Sequence, residues 1–385
     1  MNPNWRAELR EGPRLAFFRS VLAIVLSLVT ATSIVSGQDA KLSSEKHSQI
    51  DSAIAKFMSA NSVPGVSAAV VENGEYEWSQ GYGMADLENF VPATSRTLYR
   101  LASVSKPLTA TATMQLWERG KLNLDAPVQT YCPAFPQKEW PITTRQLLGH
   151  LGGIRHYRAD SQDDPEIGNT KHFDDGIVAG LKFFANDSLV AKPGTKFSYS
   201  THGFTLAGCA LEGASGEKYV DFLRKNVLLP AGMTSTVADD RYAIIPLRTR
   251  FYHKSQSGRV VNAEFLDSSY KIPGGGWLSS AEDMARFEVA MLGDQLVHRA
   301  TRNLMWTPQQ TADGSKIDYG LGWGAGKELG VADVGHGGGQ QGTSTFIMLA
   351  PERRAGVVVL TNMDGVDASS LATELLKIIL GAPPK

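Results

Sequence analysis

The sequence predicts an α+β fold: one antiparallel sheet built from both ends of the chain and flanked by helices, with a mainly helical region inserted between its halves. Three observations predict it. Runs rich in β-forming residues lie near the start, in "GVSAAVVENGEYEWSQGYG", and near the end, in "STFIMLAP" and "AGVVVLTNM". Helical patterns close the chain at both ends. Between Trp117 and Lys271 the pattern is helical segments and long polar loops, with little of the alternation that a half-buried strand needs. One domain over residues 43–380 follows, its sheet part from 43–98 and 274–380 and its mainly helical part from 99–273.

The first 37 residues differ in character. Arg6, Arg10 and Arg14 precede an apolar run whose uninterrupted core begins after Arg19, and Ser33, Ser36 and Gly37 then lead into polar sequence. That order is the one of an export signal peptide, which would make the protein periplasmic or secreted. Read instead as an uncleaved anchor, Val21 to Val35 comes close to the length that crosses a bilayer, and the protein is attached to a membrane. Glu8 and Glu11 are wrong for an acid-poor mitochondrial presequence.

Within residues 43–61, Ile50, Ile54 and Phe57 share one helical face, with serines before the run and Asn61 and Pro64 after it. Asn73-Gly74 between two β-rich runs signals a tight hairpin. In "RLASVSKPLTATATMQLWE", Leu108, Ala112 and Leu116 form one stripe flanked by Thr111, Met114 and Trp117, which predicts an amphipathic helix. Pro107 fits only its first turn, where no backbone N–H is needed. Ser280 caps the helix of "SAEDMARFEVAML", and "DASSLATELLKIILG" supplies the last one. Cys209 lies in "FTLAGCALEGA", which reads as a buried helix, so a free core thiol is expected for Cys132 and Cys209, although an export compartment permits a disulfide.

Charge excludes one class of partner: 38 Lys and Arg against 39 Asp and Glu leave no basic excess for nucleic acid. The eight histidines form no H-x-H or H-E-x-x-H ligand pattern, so neither a metal nor another cofactor is expected. No serine stands in G-x-S-x-G.

What remains is a serine–lysine pair. S-x-x-K occurs four times, at Ser43, Ser103, Ser215 and Ser268, and only Ser103 opens a long helix. There the helix-entrance N–H groups favour a developing alkoxide. Lys106, three residues on, returns to the same face. A lysine becomes a base for a serine hydroxyl once burial or a nearby positive charge lowers its pKa. Tyr199 and Thr201 lead into a second apolar helix, where the phenol could be ionised or relay protons and the Thr hydroxyl could orient Lys106 or bond a substrate carbonyl. Gly337, Gly338 and Gly339, beginning a strand, strip side chains from a stretch of backbone and suit close approach and an oxyanion hole, with His336 at the rim.

In this order, "SVSK", "YST" and "HGG" resemble the three active-site motifs of the serine β-lactamase and penicillin-binding-protein superfamily. The similarity extends over residues 43–380. "LLGHLGGIRHY", "PGTKFSYSTHGFTLAG", "GGGWLSSAEDMARF" and "APERRAGVVVLTN" resemble its class C-type branch, in the look of the mitochondrial serine β-lactamase-like proteins and their bacterial relatives. The resemblance implies a β-lactamase/transpeptidase-like fold, Ser103 as acylated nucleophile, Lys106 as its proton acceptor and Tyr199 as a second acid/base group. It implies an oxyanion site completed by the Gly339 N–H. Thr201 stands where Asn is usual and His336 where Lys is usual. Both departures weaken the grip on a β-lactam and suit a peptidase, amidase or esterase acting on a small-molecule or peptide substrate, with β-lactams kept among the candidate substrates. A non-catalytic or weakly catalytic binding or assembly protein that keeps this fold is the rival role, and the oligomeric state stays open.

Overall fold

The computed structural model describes residues 42–157, 172–174, 176–327 and 329–381. The leader expected over residues 1–37 lies outside the described residues. Helix α1 (Ser44–Asn61) starts where the Ser43 hydroxyl accepts the Lys46 N–H and ends at Ser62, and its buried stripe is Ile50, Ile54 and Phe57. Strands β1 (Gly65–Glu72) and β2 (Glu75–Asp86) follow, joined through Asn73 and Gly74 at φ 55° and 79°. Two positive φ values in a two-residue turn match the twist of the strands they connect. A short strand β3 (Val91–Pro92) completes the first half of the sheet.

The helical region holds α2 (Ser105–Glu118) and α3 (Thr201–Ser215), and α4 (Ala281–Leu292) leads back to the sheet, capped by Ser280 as expected. Strands β4 (Gly324–Gly326), β5 (Asp333–Gln340), β6 (Thr343–Ala350) and β7 (Ala355–Thr361) then precede the closing helix α5 (Ala368–Leu380). The seven strands lie in the order β3-β2-β1-β7-β6-β5-β4, every pair antiparallel. The two ends of the chain meet at β1 and β7, where Val66 lies opposite Thr361 and Val70 opposite Val357. This is the α+β arrangement that the sequence predicts.

Both central strands are buried on both faces, because side chains of period two serve two cores. Val66, Ala68 and Val70 pack with α1 and α5, whereas Ala69 and Val71 face the core shared with α2, α3 and α4. Helix α2 departs from expectation: all residues from Ser105 to Gln115 and Leu116 are buried, so it is a central spine with no wet face. Its threonines tolerate this by bonding back into the helix, Thr111 to the Pro107 carbonyl and Thr113 to the Thr109 carbonyl, each at 2.8 Å.

The cysteine expectation is overturned. Cys132 and Cys209 form a disulfide, with Cα atoms 5.5 Å apart across 77 residues. Cys209 does lie in a buried helix, but the 128–132 turn packs directly on it. A Cβ at Gly213 would strike the Tyr131 carbonyl at 1.7 Å, so this glycine lets the turn close in and brings Cys132 within reach. Sequence periodicity carries no record of that approach. No helix among the described residues is long and apolar enough to cross a membrane.

Candidate active site

Ser103 sits in a single 3-10 turn, Ala102–Val104, that feeds directly into α2. Ala102 immediately before it has φ 47°, a left-handed conformation that a side chain disfavours and that the packed surroundings must hold. The turn aims the serine into a pocket of about 210 Å³ lined by Ser103, Tyr157, Thr201, Lys271, Gly339 and Gln340, among others.

Lys106 is completely buried, one helical turn behind the serine. Its Nζ lies 2.9 Å from Ser103 Oγ, 2.8 Å from the Gly274 carbonyl and 3.2 Å from Thr201 Oγ1. Burial lowers its pKa well below the ordinary lysine value, and the positive charge of Lys271 lowers it further. A neutral amine has two N–H donors and one lone pair. Nζ donates to all three oxygens as an ammonium; once it is neutral, Gly274 and Thr201 can keep its two N–H groups, which frees the lone pair for the Ser103 hydroxyl proton.

Tyr199 lies over the same lysine, its ring centroid 4.8 Å from Nζ, with Ser103 as the polar neighbour of its phenol. Desolvation raises its pKa and the Ser103 contact only partly offsets this, so the phenol is protonated at neutral pH, not ionised as one sequence reading allows. Two histidines hold this segment. The Ser200 N–H donates to His150 Nδ1 at 3.1 Å, and the Thr201 N–H to His156 Nδ1 at 3.2 Å. His150 also packs its ring 4.2 Å from Tyr199. Ser200 caps α3 by accepting the Gly203 N–H, which sets Thr201 at the helix start beside Lys106.

The glycine strand β5 closes the other side. A Cβ at Gly338 would lie 2.3 Å from the Leu101 carbonyl and 3.1 Å from the Ser103 nitrogen, so only glycine lets β5 approach the nucleophile turn this closely. Gly339 opens onto the pocket with nothing within 4 Å of its Cβ position. Gly337 instead backs onto the Phe346 ring.

His336 is corrected by the structure. It is buried, not at the rim. Its Nδ1 donates to the Gly337 carbonyl at 2.7 Å, and Nε2 accepts from the Tyr319 hydroxyl at 2.8 Å. Both ring nitrogens are thus used by a neutral imidazole. Burial, with Lys106 nearby, pushes its pKa down to about 3. An imidazole held this way offers no positive charge to a substrate carboxylate.

The sequence reading misses the second cation of the pocket. Lys271 belongs to the S-x-x-K at Ser268, set aside because it opens no long helix, yet its lysine reaches the pocket while the Ser268 hydroxyl is buried without a partner among the described residues. The one available signal is a lysine placed directly before the apolar, glycine-rich "IPGGGWL", where a charge needs a reason.

An α+β fold with a central antiparallel sheet, a serine at a helix entrance and a buried lysine one turn behind it define the class of the serine β-lactamases and penicillin-binding proteins. The chain belongs to the beta-lactamase family, whose model matches residues 50–379. It is 32% identical to the human serine beta-lactamase-like protein LACTB, mitochondrial, over 81% of this chain and 76% of that one. Against penicillin-binding protein 4* of Bacillus subtilis it is 28% identical, over 76% of this chain and 67% of the relative. The octameric penicillin-binding protein homologue from Pyrococcus abyssi superposes with a TM-score of 0.74 at 29% identity, over 87% of this chain and 77% of that one. A D-stereospecific amidohydrolase from Streptomyces sp. shares the fold, with a TM-score of 0.73 at 24% identity over 88% of this chain and 99% of its own.

Proposed function

We propose that the protein is a serine hydrolase working through an acyl-enzyme on small amide, peptide or ester substrates. The observation that carries this reading is the placement of Lys106, a fully buried amine 2.9 Å from Ser103 Oγ, anchored on Gly274 and Thr201 and with its pKa lowered by burial. In the first half-reaction Ser103 Oγ attacks the substrate carbonyl carbon while its proton passes to Lys106 Nζ. The carbonyl electrons move onto oxygen, which the backbone N–H groups of Ser103 and Gly339 stabilise. As the tetrahedral adduct collapses, the bond to the leaving group breaks, and Tyr199 delivers a proton to that group while receiving one from Lys106. Water then repeats the sequence on the ester, freeing the acid and Ser103. The neutral His336 offers a substrate carboxylate no charge at the third motif, so β-lactams have no special claim on this pocket through that residue.

The test is intact-protein mass spectrometry after exposure to a fluorophosphonate and, separately, to a penicillin, with Ser103→Ala as control. A single adduct lost in the variant supports the reading. No adduct on folded protein overturns it.

Export through the leader is part of the proposal, and the Cys132–Cys209 disulfide supports it because such bonds persist in oxidising compartments. Assembly of copies is a second reading, favoured by Tyr242, Ile244, Leu247 and Phe265, apolar side chains each more than half exposed. Light scattering across a concentration series, with Ile244→Asp for comparison, tests it.

A further inference from the structure

We infer that Lys271 and Gln340 form an anion subsite that selects substrates bearing a carboxylate close to the scissile bond. The inference rests on the serine-hydrolase reading and names the substrate class of that same pocket.

Lys271 is only 4% exposed, yet it makes no ion pair among the described residues. The nearby carboxylates are taken: Asp239 by Arg100 at 2.8 Å and Arg248 at 3.5 Å, Asp267 by His172 at 3.0 Å and Arg241 at 3.7 Å. The ammonium donates instead to the neutral Gln340 Oε1 at 3.0 Å, with the rings of Tyr157 and Tyr270 about it at 5.5 and 5.6 Å. A buried cation with no ion-paired carboxylate among the described residues is unfavourable unless something else supplies the charge. The Gln340 amide, turned by that bond, keeps a buried Nε2 with no hydrogen-bond partner among the described residues. Lys271 and Gln340 thus bring donors to one pocket wall, and both line the pocket that Ser103 enters. A carboxylate accepts from both, one oxygen each. His336, on the same strand as Gln340, cannot do this, since both its ring nitrogens are engaged.

The groups facing Lys271 are Arg100, Asp239, Asp267, Tyr157, Tyr270 and, across the pocket, Lys106. Burial and the Arg100 charge hold its pKa at about 7, and the two aspartates oppose them. A bound anion favours the charged amine, so binding takes up a proton and is strongest below neutrality.

The experiment compares two ester pairs at pH 6. p-Nitrophenyl hemiadipate is set against p-nitrophenyl methyl adipate, which carries the charge on the acyl side or caps it. 4-Carboxyphenyl butanoate is set against its methyl ester, which does the same on the leaving-group side. The readout is the acid-to-capped ratio of kcat/KM, compared between wild type and Lys271→Met, so that any effect of the charge on Lys106 cancels. An acid preference of about tenfold on either pair, falling towards one in Lys271→Met, supports the subsite and says which side it reads. Equal ratios in both proteins on both pairs overturn it and leave the hydrolase reading standing. If the folded wild type turns over no ester, the hydrolase reading fails, and thermal shift with glutarate against glutaramide decides the subsite. A Tm rise with glutarate alone, absent in Lys271→Met, upholds it; no rise overturns it.

Discussion

Lys106 on α2 and Glu288 on α4 are both completely buried ionisable residues on helices in contact, where the Thr111 hydroxyl meets Met291. Burial drives both towards neutrality, lowering the pKa of the lysine and raising that of the glutamate. Only one of them has chemistry within reach. Lys106 has a serine hydroxyl 2.9 Å from its nitrogen and a pocket beyond it. Glu288 approaches the backbone of Met348 and Gly356, inside the sheet-to-helix contact, with no ion pair among the described residues. A strongly shifted pKa therefore marks burial, and it marks a functional site only where a reactive partner and a cavity coincide.

The largest effect that tests this contrast is on the nucleophile and its base. Ser103→Ala and Lys106→Met should each lower kcat/KM on an activated ester by at least about 10³-fold. Lys106→Met should fold with unchanged or higher Tm, because an apolar chain of similar volume replaces a desolvated amine. An active Lys106→Met would reduce this lysine to a second Glu288, a buried group with no task. Next in size, Tyr199→Phe keeps the ring against His150 and removes only the phenol, and should cost about 10²-fold in kcat with little change in KM. A KM effect alone would make Tyr199 a wall of the pocket and not a proton carrier.

Glu288 gives a smaller and purely thermodynamic signal. Its folded pKa lies above the ordinary value of 4.5, so its contribution to stability is full below that value and is lost as pH rises towards the folded pKa. In that window the wild type should lose about 1.4 kcal/mol per pH unit from this group, and Glu288→Gln should not. Urea unfolding at pH 4.5 and 6.5 measures the difference. Parallel pH dependence in the two proteins would mean that the carboxylate is ionised inside the fold.

Much of this was legible in the residues, and the limits have physical causes. The hairpin at Asn73-Gly74, the caps at Ser43 and Ser280 and the Ser103–Lys106 spacing are local signals, and local geometry follows them. Helix α2 reads as amphipathic because threonines count as polar, while in place they bond to carbonyls of their own helix and bury. The disulfide and the burial of His336 depend on which distant segments touch. His336 takes its state from Tyr319 on a loop 17 residues away. Lys271 was hidden for the opposite reason: its S-x-x-K spacing is visible, but the serine of that motif is not the one it serves.

The smallest expected effect separates the two pocket lysines. In the proposed mechanism neutral Lys106 is the base, so activity should fall as pH drops through its folded pKa. The Lys271 charge is one of the causes that keep this pKa low, second to burial. Lys271→Met removes that charge, so the Lys106 pKa should rise and the acid limb of the kcat/KM profile should move to higher pH. Lys271 itself titrates at about 7, so the two profiles should differ below neutrality, where it is charged, and converge above it. The profile is best taken with a neutral ester, so that the binding of a substrate charge plays no part. An acid limb that stays in place would mean that burial alone sets Lys106, and that Lys271 acts on the substrate without touching the base.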